Sequence, residues 1–117
     1  GINLSGGQKA RISLARAVYA MKDIYLLDDP ISALDASVRK KIIENVIMTK
    51  LSGKTRILVT HAIDFVRHAD TLVIMEKGRI VAQGPFEEVR HHESYKNLIK
   101  INKLGNDKDS DKNEAGI

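Results

Sequence analysis

The chain has no cysteine and no tryptophan, and its 117 residues include only two prolines, three tyrosines and two phenylalanines. Without cysteine there is no disulfide, no thiol nucleophile and no thiolate metal site, which suits a reducing compartment. So few aromatic rings give little for nucleic-acid bases to stack on, and no nucleic-acid partner is expected. No apolar run approaches the roughly 20 residues that cross a bilayer, so no direct membrane insertion is expected. There is no initiator methionine and no leader pattern, and Gly1-Ile2-Asn3 reads as the interior of a longer protein. No repeat of 20–50 residues is visible.

What is present is ordinary for one small globular domain: 43% hydrophobic and 29% charged residues, with a net charge of +4. The basic side chains are scattered, and Arg39-Lys40-Lys41 is their longest run. A mild positive balance of this kind is weak evidence for a polyanionic partner.

Hydrophobic periodicity divides the chain into alternating elements. Ser5 to about Met21 predicts a helix, with Ile12, Leu14, Ala15, Val18, Tyr19 and Met21 spread over a wide apolar arc. Arg11 falls inside that arc and needs a partner or an opening to solvent. Ser5 followed by Gln8 fits a capping box. Ile24-Tyr25-Leu26-Leu27 predicts a strand buried on both faces, ended by Asp28-Asp29-Pro30. Ala36 to about Lys50 predicts a second helix, closed by Gly53, and Arg56–Thr60 a second buried strand parallel to the first. A short helix follows from about Ala62 to His68. Thr71–Met75 and Arg79–Gln83 then predict a hairpin around Glu76-Lys77-Gly78. Pro85 is expected at the first position of a small helix, and Ser94 as the cap of a last one. The polar stretch from Gly105 to Ile117 reads as a disordered tail or linker, leaving 1–104 as the folded part. Strand, helix, strand, helix and hairpin together indicate an α/β domain.

Three stretches invite a chemical reading. Leu4-Ser5-Gly6-Gly7-Gln8 opens a helix, so it presents backbone N–H groups at the positive end of a helix dipole, where anions bind. Asp28 and Asp29 stand at the carboxyl end of a buried strand, where ligand sites of parallel α/β sheets lie, and an acid there can hold Mg²⁺ beside a phosphate. His61 stands at the equivalent end of the next strand. Taken singly, each has a plain alternative: the acids cap a loop, and the histidine packs or faces solvent. His91-His92 reads as a polar surface turn, since no other ligand stands near.

The order of these stretches is more informative than any one of them. Leu4–Gln8, then Ile24–Pro30, then Ser32-Ala33-Leu34-Asp35, then Thr60-His61 resemble the C-terminal half of an ATP-binding cassette domain, the ATPase of ABC transporters. The likeness runs from about Ile2 to Ile101. It implies an incomplete P-loop NTPase of RecA-like α/β fold, with parallel strands, crossover helices, a C-terminal hairpin and helices. It also implies ATP and Mg²⁺ as cofactors. Ser5, Gly6, Gly7 and Gln8 would be the signature that touches the γ-phosphate of ATP held by an opposing cassette. Asp28 would hold Mg²⁺, usually through water, and Asp29 would occupy the catalytic-base position. Ser32 and Asp35 would belong to the loop at the cassette interface, and His61 would reach the γ-phosphate in its own cassette. The implied partners are a second cassette and transmembrane domains, and the implied place is the cytoplasmic face of a membrane. A soluble ATPase of the same family and a non-catalytic truncated remnant are the alternative readings.

The sequence departs from the family pattern twice. Asp29 stands where glutamate is usual, and its carboxylate is one methylene shorter, which implies a weak or degenerate hydrolytic site. Asp28-Asp29-Pro30, with Ala15-Arg16-Ala17-Val18-Tyr19 ahead of it, is similar to the first cassette of multidrug-resistance-associated, C-subfamily exporters. The other departure is the absence of a Walker A loop. Ser52-Gly53-Lys54-Thr55 ends like one, but Met48 stands where the first glycine belongs, and the stretch follows a helix and opens a strand. With the Walker A strand absent, the sheet should show unpaired edges and uncovered apolar faces. On that reading the isolated chain folds poorly and binds ATP weakly or not at all.

Overall fold

A computed structural model describes residues 3–114. The chain divides into two compact units, Gly1–Ala62 and Ile63–Ile117.

The first unit is built of α1 (Gly6–Tyr19), β1 (Ile24–Asp28), α2 (Ala36–Ile42) and β2 (Thr55–Val59). The capping box forms: the Gln8 N–H donates to Ser5 Oγ (3.1 Å) and the Ser5 N–H donates to Gln8 Oε1 (2.9 Å). The apolar arc expected of α1 is corrected. Only Leu14 is buried, while Ile12 is 48%, Tyr19 88% and Met21 84% exposed. The helix stops at Tyr19, and Met21 takes a left-handed backbone (φ 51°), which carries its side chain off the helical stripe. Arg11 opens to solvent. Asp35 caps α2 by accepting the Val38 N–H (3.0 Å). From Ile43 to Lys50 the helix widens to a π-helix, in which the Leu51 N–H donates to the Val46 carbonyl five residues back (2.9 Å). Expected as one α-helix, this segment still buries Ile43 and Ile47.

β1 and β2 pair in parallel as a two-stranded sheet, Leu26 opposite Ile57 and Asp28 opposite Val59. The Arg56 guanidinium donates from Nη1 to the Ile47 carbonyl (2.7 Å) and ties β2 to the preceding helix. Burial on both faces is corrected to burial on one. Tyr25 and Leu27 are buried, whereas Ile24 (62%), Leu26 (74%), Ile57 (55%) and Val59 (55%) are exposed. A parallel pair needs cover on both sides, and among the described residues of this unit one side has none. Ser52–Lys54 is a turn between that helix and β2, with Gly53 left-handed (φ 79°) and Lys54 Nζ 3.4 Å from Asp23 Oδ1. That is no setting for a phosphate loop.

The second unit starts with a 3₁₀ helix (Ile63–His68) and continues through β3 (Leu72–Glu76), β4 (Arg79–Gly84), α3 (Phe86–Val89) and α4 (Glu93–Glu114). β3 and β4 form the expected antiparallel hairpin, with a bulge between Ile74 and Met75. Its turn is the two residues Lys77-Gly78, both left-handed (φ 50° and 75°), the geometry that suits a twisted hairpin. Ile74, Val89 and Tyr95 form the core, with Phe86 edge-on to Tyr95 at 5.8 Å. Pro85 is the cap of α3 and not its first residue. Ser94 lies inside α4, and its N–H donates to His92 Nδ1 (3.1 Å), so the histidine takes the role expected of the serine. Where a tail is expected from Gly105, the backbone of α4 continues through Glu114; residues 115–117 lie outside the described residues. No apolar residue occurs from 106 to 114. Among the described residues, no helix is long and apolar enough to cross a membrane.

Candidate functional site

Ser5, Gly6, Gly7, Gln8, Asp28, Asp29, Ser32, Asp35 and His61 all fall in the first unit. The parallel register sets the arrangement. β1 and β2 run the same way, so Asp28 and Asp29 at the end of one strand and Thr60-His61 at the end of the other emerge at the same edge of the sheet. Asp28 shares the uncovered face with Leu26 and Val59 and is exposed.

Asp29 is held differently. Its N–H donates to the Val59 carbonyl (2.8 Å), one bond past the last register pair. Its backbone is left-handed, φ 49°. Pro30 disfavours the right-handed helical region for the residue before it. Asp tolerates the left-handed region better than most residues. The half-buried Asp29 side chain is thereby turned out of the strand alternation.

Asp28, Asp29, Pro30, Ser32 and Ala33 line one side of a cleft of about 360 Å³, and Ala10, Ser13 and Ala17 of α1 line the other. The start of α1 is seated on the loop after β1. A Cβ added at Gly6 would stand 3.5 Å from Ala33 Cβ, and one at Gly7 would stand 3.3 Å from the Ala33 carbonyl and 3.4 Å from Leu34 Cδ2. Because the capping box takes the Gln8 amide, Gly6 and Gly7 supply the N–H groups for which the helix has no internal acceptor.

Asp35 ends this loop. Its carboxyl is held below the ordinary aspartate range, first by the Val38 N–H and then by the Ser37 hydroxyl (3.1 Å to Oδ1), with smaller help from the Arg11 and Arg39 charges. Among the described residues, no three acidic or histidine side chains gather as a metal cage. One or two carboxylates beside a phosphate are, however, the usual protein share of a Mg²⁺ site, and Asp28 with Asp29 fits that donor set. Two features were not legible in the sequence: the left-handed Asp29 and the seating of Gly7 on Ala33. Asp29-Pro30 was the only local signal for either of them.

The family described as ABC transporter matches residues 1–32. A multidrug resistance protein of Leishmania tarentolae is 59% identical over 86 residues, covering 74% of this chain and 6% of that protein. ABC transporter C family member 8 of Dictyostelium discoideum is 55% identical over 89 residues, covering 74% and 6%. Bile pigment transporter 1 of Saccharomyces cerevisiae is 50% identical over 113 residues, covering 94% and 7%. The chain spans less than a tenth of the length of these relatives.

Proposed function

We propose, because this chain belongs to the ATP-binding cassette transporter family and is similar to C-family members along most of its length, that it is the C-terminal part of a nucleotide-binding domain, the first of two. In the intact transporter it closes over ATP and contributes a degenerate hydrolytic site. A second cassette and transmembrane domains are its partners, at the cytoplasmic face of a membrane. The fold is the corresponding part of a RecA-like P-loop domain, whose Walker A strand this chain does not contain.

The observation that carries the reading is the common edge. Asp28, Asp29 and His61 leave two adjacent parallel strands together, next to a cleft walled by α1. In this proposal Asp28 would hold Mg²⁺, which would supply neutralisation of the charge on the transferring phosphoryl group. The Asp29 carboxylate orients a water and takes its proton as the water oxygen bonds to the γ-phosphorus and the bond to the ADP oxygen breaks. His61 donates to the γ-phosphate, and Ser5, Gly6, Gly7 and Gln8 direct N–H and O–H groups at the γ-phosphate held by the other cassette. Ser32 and Asp35 face the interface. The short Asp29 makes hydrolysis slow.

The test is ATP turnover and transport by the intact transporter carrying Asp28→Asn or His61→Ala. Loss of nucleotide-dependent transport in both is expected, and unchanged transport in both overturns the reading. For the 117-residue chain alone, a cooperative melt together with micromolar ATP affinity would contradict the need for the missing Walker A strand.

A further inference from the structure

Glycine within a helix costs up to about 1 kcal/mol relative to alanine, so two in the first turn of α1 need a reason. Neither has the left-handed backbone that only glycine adopts readily. Ligand approach accounts for an open outer side. It does not account for the inner side, where Gly7 is half-buried and has the Ala33 carbonyl at 3.3 Å from any added Cβ.

We propose that Ala33 is a positioning residue for the anion-binding end of α1, and that residues 5–8 and 31–35 form one block whose spacing is fixed by Gly6, Gly7 and the Ala33 methyl and carbonyl. Overfilling this contact has to displace one side or the other. The loop is anchored. Ile31 is fully buried, Leu34 is 7% exposed, the Leu34 N–H donates to the Ile31 carbonyl (3.2 Å), and Asp35 caps α2. The helix end is held more lightly, since Leu4, Ser5 and Gly6 are exposed and the capping box is local. Strain therefore goes into Ser5–Gln8. A partner that shifts the loop would shift the phosphate donors with it. That consequence rests on the nucleotide reading above; the packing does not.

The decisive experiment is amide exchange across residues 5–35 of the intact transporter carrying Gly7→Ala. Ordinary helix propensity predicts slower exchange at Gln8 and Lys9, whose N–H groups donate to Ser5 Oγ and the Ser5 carbonyl. The seated contact predicts the opposite, about tenfold faster exchange there. Asp29, whose N–H donates to Val59, should be unchanged and reports that the sheet persists. Ala33→Val should act like Gly7→Ala, while Ala33→Ser should behave as wild type. Slower or equal exchange at Gln8 and Lys9 in Gly7→Ala overturns the proposal, whatever Ala33→Val does. If Ala33→Val unfolds the chain, Gly7→Ala still decides. A separate arm uses ATP turnover by the intact transporter. Gln8→Glu keeps the capping box and puts a carboxylate at the helix end, so turnover should fall at least tenfold. Normal turnover in Gln8→Glu would sink the nucleotide reading and leave the packing result standing.

Discussion

Asp29→Glu in the intact transporter separates two effects that the structure superimposes. The Asp29 amide is pinned to the Val59 carbonyl at 2.8 Å, so a glutamate there inherits the same Cα position and Cβ direction. Its carboxylate then reaches about 1.5 Å further into the cleft, the length of one C–C bond. An error of about 1 Å in a reacting geometry can cost roughly a hundredfold, so restored reach should raise hydrolysis by one to two orders of magnitude. The backbone opposes the change in a different quantity. Residue 29 is left-handed at φ 49°, a region that costs most L-residues about 1–2 kcal/mol and aspartate less. Asp29→Glu should therefore lower folding stability by up to about 1 kcal/mol, and Asp29→Gly should not lower it. The assays are single-site ATP turnover at saturating nucleotide and denaturant unfolding of the same variants. Turnover that fails to rise in a glutamate variant that stays folded and nucleotide-bound would refute the assignment of side-chain length as the limiting feature.

Three further outcomes are expected. Ser5→Ala removes the acceptor of the Gln8 N–H and should cost about 1 kcal/mol in urea unfolding, with fraying confined to the first turn of α1. Asp35 has a folded-state pKa below its ordinary value, so its stabilising contribution is present above the unfolded pKa and lost as pH falls through the folded one. The difference in Tm between wild type and Asp35→Ala should accordingly narrow on acidification, and a constant difference would count against the cap. Leu26→Lys with Ile57→Lys places charge on the uncovered sheet face. In the 117-residue chain it should reduce self-association in sedimentation, because the replaced side chains are 74% and 55% exposed.

Much of the first unit was legible before any coordinates. The capping box at Ser5 and Gln8 and the rejection of Ser52–Thr55 as a phosphate loop both follow from short-range signals. Each depends on residues within a few positions of one another, and local chemistry decides them. Burial was less legible. Ile24, Leu26, Ile57 and Val59 carry the same apolar signal as Tyr25 and Leu27, but whether an apolar face is covered depends on what else packs there. The π-helix from Ile43 to Lys50 and the early end of α1 at Tyr19 likewise interrupt a pattern that reads as plain α-helix.

By itself the sequence determined the kinds of group available and their order. It supplied a glycine-containing helix start, two acids ending an apolar strand, a histidine ending the next, and no cysteine or Walker A loop. Motif order is a property of the chain, so it identified the family. Tertiary structure decided how those groups meet. The parallel register put Asp28, Asp29 and His61 on one edge, the Val59 bond and Pro30 turned Asp29 left-handed, and the anchored loop brought Ala33 up against Gly7. Those relations join residues 26 to 33 positions apart, and only folding brings such residues together.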